Sequence, residues 1–432
     1  MPFNASVTLI LLFTIVILLI TKRFSLTFIG VLIPIVLYLS GVIDNEAAFS
    51  NLTHPILIML ICIFIQSKAI FEVGLAYQIG ESFSTFTRKI GQNNEKITIM
   101  LVIGFGAIMS TVLPNIATTA ALVPIVIAVS SYSGISRSKL LITLALGTSM
   151  GGTITLIGTP PNFLAKATLD AAGISSFGFF DFAWIGIPLT LLGTLYLLTI
   201  GFKSLPDHYV EAKQNSIEKE QENSRNDNKA TKFKQWTVAL VFIAFVLSII
   251  FEKATGIPNQ YIGIIGVMIL GGLRILNERQ IFNSIDWSTT IFIAGILTLA
   301  AALSSTGSND ILAGLAISLI GDTSSAYVFT GLLFAISAIL TQFLSNTGTA
   351  GVLMPIGLSI AQSMDADPRA VVMAIALGCA ASFATPIATP SNIIVTGPGQ
   401  LTFMDWVKVG SPLVIIGLVL SLIILPLVFP FF

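Results

Sequence analysis

The chain has 432 residues, of which 54% are hydrophobic and only 10% charged. Soluble domains carry roughly 25% charged residues, so this composition belongs to a chain solvated mostly by lipid. Basic and acidic residues balance at 21 each, which leaves no electrostatic footprint for a nucleic-acid partner. His54, His208, Cys62 and Cys379 have no spacing that suits a zinc site or a catalytic triad. The cysteines read as small core residues, and a membrane enzyme has little material here.

A bilayer crossing needs about 20 apolar residues. Such segments lie at 5–21, 24–43, 54–75, 138–168 and 182–202, and again at 236–252, 260–277, 288–306, 369–397 and 407–430. Lys22 and Arg23 follow the first run rather than precede it, the reverse of a signal peptide, so a retained helix is expected. Two further apolar stretches, 98–132 and 326–363, are interrupted at Leu113-Pro114-Asn115 and Leu344-Ser345-Asn346. Each half, about 15 residues, reaches roughly 22 Å as helix, short of a hydrocarbon core of about 30 Å. Both are expected to be re-entrant helical hairpins with tips buried in protein, where non-helical backbone is tolerated at that depth. Residues 203–235 form the one hydrophilic stretch, rich in Lys and Glu, and read as a cytoplasmic linker.

The two sides of this linker repeat each other. Phe28-Ile29-Gly30 matches Tyr261-Ile262-Gly263, and Asn115, Thr118 and Pro124 match Asn346, Thr349 and Pro355. Ala145-Leu146-Gly147 matches Ala376-Leu377-Gly378, and Thr159-Pro160 with Asn162 matches Thr389-Pro390 with Asn392. Asp181, Gly186 and Pro188 match Asp405, Gly410 and Pro412. The fold class expected is an all-α integral membrane protein of two inverted repeats, 1–202 and 236–432, each with five transmembrane crossings and one re-entrant hairpin. An odd number of crossings makes the second repeat enter from the opposite side, as in many secondary transporters. A cytoplasmic linker also places Lys22, Arg23, Arg88, Lys89, Lys96, Arg137, Lys139, Arg274, Arg279 and Lys408 inside, against Lys166, Lys253 and Arg369 outside. That asymmetry obeys the positive-inside rule and predicts both termini outside a cell (inner or plasma) membrane.

Four polar segments interrupt the apolar runs: the tips 110–118 and 341–349, and Gly158-Thr159-Pro160-Pro161-Asn162 and Ala388-Thr389-Pro390-Ser391-Asn392. Proline removes a backbone donor and clashes with the preceding turn, so the crossings are expected to unwind near 158–162 and 388–392. Unwound helices expose carbonyls that bind cations and N–H groups that bind anions, and the Asn amide can serve either. A single such cluster would read as helix capping; four in repeat-related places point to a binding site. Asp181 and Asp405 read as helix caps, and Lys68 with Glu72 as an internal ion pair.

At these residues the sequence resembles the divalent anion/sodium symporter family, with Ser345-Asn346-Thr347 as the intact tip motif. The resemblance implies two sodium sites, one from Ser110, Asn115 and the Gly158 carbonyl, the other from Thr341, Asn346 and the Ala388 carbonyl. It implies substrate contacts at Asn115, Thr159, Ser345, Asn346, Thr347, Thr389 and Pro390. It also implies sodium-coupled symport of a small anion such as a di- or tricarboxylate, no cofactor beyond the coupling ion, a homodimer and an elevator mechanism. The first tip departs from the motif, since Pro114 and Ile116 stand where the family has Ser and Thr. A related sodium/proton antiporter or an arsenite or other anion permease is the alternative. An assembly subunit would not need paired helix breaks.

Overall fold

The computed structural model describes residues 2–90, 94–208, 231–308, 311, 312, 314, 326–364 and 366–430, all helix, turn or coil. The first half runs through α1 (Phe3–Thr21), α2 (Leu26–Leu39), α3 (Asn45–Ser50), α4 (Pro55–Glu72), α5 (Leu75–Ile90), α6 (Glu95–Ser110), α7 (Asn115–Ser133), α8 (Arg137–Gly152), α9 (Pro160–Ala171) and α10 (Ala183–Leu198). The second half runs through α11 (Lys232–Ile250), α12 (Asn259–Gly272), α13 (Glu278–Ser284), α14 (Trp287–Ser305), α15 (Ala326–Thr341), α16 (Asn346–Ser363), α17 (Pro368–Ala380), α18 (Pro390–Gly399) and α19 (Phe403–Val428). Six helical stretches among the described residues are long and apolar enough to cross a membrane, and one of them is α7, whose 19 residues exceed the roughly 15 expected of a hairpin arm too short to cross.

The packing is that of two intertwined halves. Helix α6 lies on α8 and α15 on α17; α2 crosses α14 and α12 crosses α4; α9 lies on α17 and α18 on α8; α10 and α19 pack on each other. Each pairing thus recurs with the halves exchanged. The core sits on α8 and α17, where Leu140–Gly152 and Ala370–Ala380 are buried without interruption. A helix apolar on all sides belongs in such a place. Glycine allows backbone to meet backbone there: a methyl group on Gly147 would lie 2.7 Å from the Ile103 carbonyl oxygen of α6. One on Gly378 would lie 2.6 Å from the Phe334 carbonyl oxygen of α15.

Helix α5 is not evident from hydropathy. It buries only the stripe Ala76, Gly80, Phe83 and Thr87, stacking Phe83 on Phe105 of α6 at a centroid distance of 4.0 Å. The hydrophilic stretch is bound to the fold where it begins. Ser138 Oγ donates to the Pro206 carbonyl at 2.8 Å, and the His208 amide donates to Ser138 Oγ at 3.0 Å. Lys139 Nζ lies 2.8 Å from Asp207 Oδ2 and 3.0 Å from Glu95 Oε1, and its hydrogen bond holds the Asp207 carboxyl below the usual carboxylate range. The rest of the linker, 209–230, lies outside the described residues, and Lys232 and Lys234 already belong to α11.

Two expectations about caps are corrected. Thr402, not Asp405, is the N-cap of α19; Asp405 completes the capping box from inside the first turn and meets His208 Nε2 at 2.8 Å. Asp181 accepts from the Gly178 amide at 2.8 Å, and α10 begins without a side-chain cap. Lys68 and Glu72 do pair, at 2.6 Å.

Candidate transport site

Both buried crossings break where proline dictates. Pro160 and Pro161 open α9, and Pro390 opens α18. A residue before proline is pushed out of the helical region, and Thr159 (φ −139°, ψ 148°) and Thr389 (φ −144°, ψ 148°) are both extended. Proline at the first helical position then sacrifices no hydrogen bond. The irregular backbone at 153–159 and 381–389 is almost wholly buried. It is supported by Gly186 of α10 and Gly410 of α19, where any side chain would strike the backbone of 153–154 or 383–384.

The first hairpin tip, between α6 and α7, is stitched to the first break. Thr155 Oγ1 donates to the Thr111 carbonyl. Asn162 Nδ2 donates to the Thr155 carbonyl at 2.8 Å and the Gly152 carbonyl at 3.4 Å, closing the unwound loop. The end of the Asn115 side chain, packed on Gly152, lies among the Ser110 hydroxyl, the Thr148 carbonyl at 3.2 Å and the Gly158 carbonyl at 3.3 Å.

The second tip repeats this arrangement on the second break. Thr385 Oγ1 donates to the Gln342 carbonyl at 2.6 Å, and Asn392 Nδ2 donates to the Ser382 and Thr385 carbonyls at 3.0 and 2.9 Å. Thr341 Oγ1 lies 2.7 Å from Asn346 Oδ1 and 2.8 Å from the Cys379 carbonyl. Asn346 Nδ2 donates to Ser382 Oγ at 3.2 Å. Ser345 accepts from the Gly348 amide at 3.0 Å and caps α16. Pro114 offers α7 no such cap, which is the structural consequence of the altered first tip.

Of the residues singled out from sequence, Ser110, Asn115 and the Gly158 carbonyl come together, as do Thr341 and Asn346. Thr159, Thr347 and Thr389 are buried, while Ser345 and Pro390 are exposed. Sequence reasoning missed the carbonyls of Thr148 and Cys379, which come from the last turns of α8 and α17. The Cys379 carbonyl is one of the four that a helix end leaves free, that of Thr148 lies just inside its end, and backbone groups carry no residue-type signal. It also missed Thr155 and Thr385, whose hydroxyls look like ordinary polar residues until the tips are placed against them.

Both clusters join hydroxyl and carbonyl oxygens to an Asn amide, which with its oxygen inward completes a donor set suited to a hard cation rather than to zinc or copper. No charged side chain lies in any of the four segments. The side-chain oxygens of Asn162, Asn392, Thr118, Thr349, Thr159 and Ser391 are buried without a hydrogen-bond partner. The two tips differ in exposure: Ile116 is 45% exposed, whereas Thr347, its repeat counterpart, is 6% exposed.

Comparison with known proteins fits this geometry. The chain is 26% identical to an uncharacterized transporter of Haemophilus influenzae over 95% of its own length and 89% of that protein. It is 29% identical to one of Methanocaldococcus jannaschii, covering 74% of this chain and 72% of the relative. A match to the uncharacterized transporter YfbS of Escherichia coli is 34% identical but spans 43% of this chain and only 30% of that protein. The fold is shared with the YdaH transporter of Alcanivorax borkumensis (TM-score 0.60, 15% identity, 89% and 87% of the two chains). It is shared too with MtrF of Neisseria gonorrhoeae, described among antimetabolite efflux pumps (TM-score 0.61, 15% identity, 90% and 83%). The family model of the citrate transporters (CitMHS) matches residues 16–378 and 328–431, so this multi-pass membrane protein is a transporter, not an enzyme, and belongs to the citrate transporter family.

Proposed function

We propose that the chain is a secondary transporter that carries a small anion, a di- or tricarboxylate, together with sodium ions. The observation that carries this reading is the convergence of oxygen-bearing groups at both hairpin tips: the Ser110 hydroxyl, the Thr148 and Gly158 carbonyls and one end of the Asn115 amide at one, Thr341, Asn346 and the Cys379 carbonyl at the other. Sodium would be held by these oxygens. The anion would lie between the tips, facing the N-termini of α7 and α16, whose free N–H groups favour negative charge. With no Lys or Arg in the four segments, cations bound beside the anion supply the compensating charge. The resemblance to the divalent anion/sodium symporters and the membership of the citrate transporter family support the carboxylate. Sodium/proton antiporters usually carry an intramembrane carboxylate, and the four segments contain none.

The same reading makes the halves inverted repeats with a cytoplasmic linker and both termini outside. The hairpins, the broken helices and α10 with α19 form the moving body of an elevator. Helices α1, α2, α4, α11, α12 and α14 form the scaffold, through which two copies pair as a homodimer. The test is thermal stability of purified protein across carboxylates, sulfate and arsenite, in sodium and again in potassium. A ligand of the folded state raises stability by RT ln(1 + [L]/Kd), about 2.7 kcal/mol at 100 times Kd. A carboxylate should raise Tm only when sodium is present. If no anion acts and sodium gives no shift, the reading is wrong.

A further inference from the structure

The two tips satisfy their asparagines in different ways, and the difference assigns them different work. This inference rests on the sodium-coupled reading and deepens it. At the second tip both ends of the amide have a partner: Asn346 Oδ1 lies 2.7 Å from the Thr341 hydroxyl, whose one hydrogen is shared with the Cys379 carbonyl at 2.8 Å, and Nδ2 donates to Ser382 Oγ at 3.2 Å. In that orientation both ends are partnered while the oxygen faces the cluster. At the first tip the neighbours of the Asn115 side-chain end are the Ser110 hydroxyl and the carbonyls of Thr148 and Gly158. Carbonyls only accept. With Oδ1 turned to them, four oxygens face one another with a single hydroxyl hydrogen to share. Only when Nδ2 is turned inward do the carbonyls of Thr148 and Gly158 both receive a hydrogen bond, at 3.2 and 3.3 Å.

We propose that Asn115 is a rotating plug for the first cation site. In the sodium-free protein its NH2 group sits among the oxygens and takes the place of the cation. When sodium arrives the amide turns by about 180°, a rotation that Asn side chains accommodate because both ends have similar shape, and Oδ1 becomes a ligand. The plug removes the penalty of an empty, buried oxygen cluster. The empty carrier can then cross the membrane and return for another cycle. Gly152 makes room for this rotation, since any side chain there would collide with the Asn115 amide.

The test replaces each amide by a carboxylate of the same shape and measures Tm of the full-length protein in potassium and in sodium. Asn115→Asp loses the NH2 group beside two carbonyls that cannot donate in its stead. Asn346→Asp keeps the Thr341 and Ser382 hydroxyls, both able to donate to a carboxylate. The expected result is that Asn115→Asp lowers Tm in potassium more than Asn346→Asp does. Its sodium-induced rise in Tm should exceed that of the unaltered protein, by roughly 2 °C or more. In liposomes it should retain exchange between sodium-loaded forms and lose net uptake, because the empty form no longer returns. Equal Tm of the two variants in potassium, or an Asn115→Asp protein that is unfolded in sodium as well, overturns the plug. Absence of any sodium effect on the unaltered protein would instead overturn the sodium reading on which it rests.

Discussion

At the scale of single residues, the asparagines of the two broken helices hold the site's shape. Asn162 and Asn392 are fully buried, and each ties two carbonyls of its unwound loop. Removing the amide strands those carbonyls away from water, and each buried unsatisfied group costs about 1–3 kcal/mol. Asn162→Ala and Asn392→Ala are therefore expected to lower Tm in a thermal melt with or without ligand, unlike changes confined to the cation clusters. A melt unchanged in both variants would contradict this. These asparagines are visible in the sequence as repeat-related residues beside proline, but their partners are not. Gly152, Thr155, Ser382 and Thr385 contribute backbone carbonyls, and a backbone carbonyl looks the same at every position.

At the scale of elements, the sequence is most legible where apolar residues run unbroken or proline cuts them. The breaks beside Pro160 and Pro390 and the interruptions at Pro114 and Ser345 lie where helices end in the structure. Helix α5 escapes because it presents one narrow apolar stripe among Gln78, Glu81, Arg88 and Lys89, a period rather than a run. Close helix contacts also escape, since a glycine in a helix reads first as a weak helix former. Gly147 and Gly104 separate the two roles. A methyl group on Gly147 meets the Ile103 backbone of α6, whereas nothing lies within 4 Å of one on Gly104. Gly104→Ala is expected to be neutral or to stabilise by up to about 1 kcal/mol through helix propensity. Gly147→Ala is expected to destabilise by about 1–3 kcal/mol as an overpacking change. Equal melting temperatures for the two variants would contradict the packing of α6 on α8.

At the scale of the whole molecule, the halves are alike in pairing but not in how α7 and α16 meet their neighbours. Gly351 of α16 is seated on α14, where a methyl group would lie 2.7 Å from Phe292 and 2.9 Å from Ile296. Ala120, its counterpart on α7, is exposed. If the repeats exchange these roles when the moving body crosses, Ala120→Cys should react with a maleimide in this state and become protected when sodium and substrate drive the other. Reactivity independent of both ligands in a transport-competent protein would contradict an elevator. The repeat itself can be read from the order of matched residues; the different seating of Gly351 and Ala120 cannot, because both are small helical residues until the helices are placed. Sodium-coupled carboxylate transport is tested most directly by uptake of citrate and smaller carboxylates into proteoliposomes under an inward sodium gradient, with potassium as control. Uptake is expected only with sodium and is expected to be lost in Asn115→Ala and in Asn346→Ala protein that remains folded; uptake equal in potassium, or normal in both variants, would exclude sodium-coupled transport through these tips.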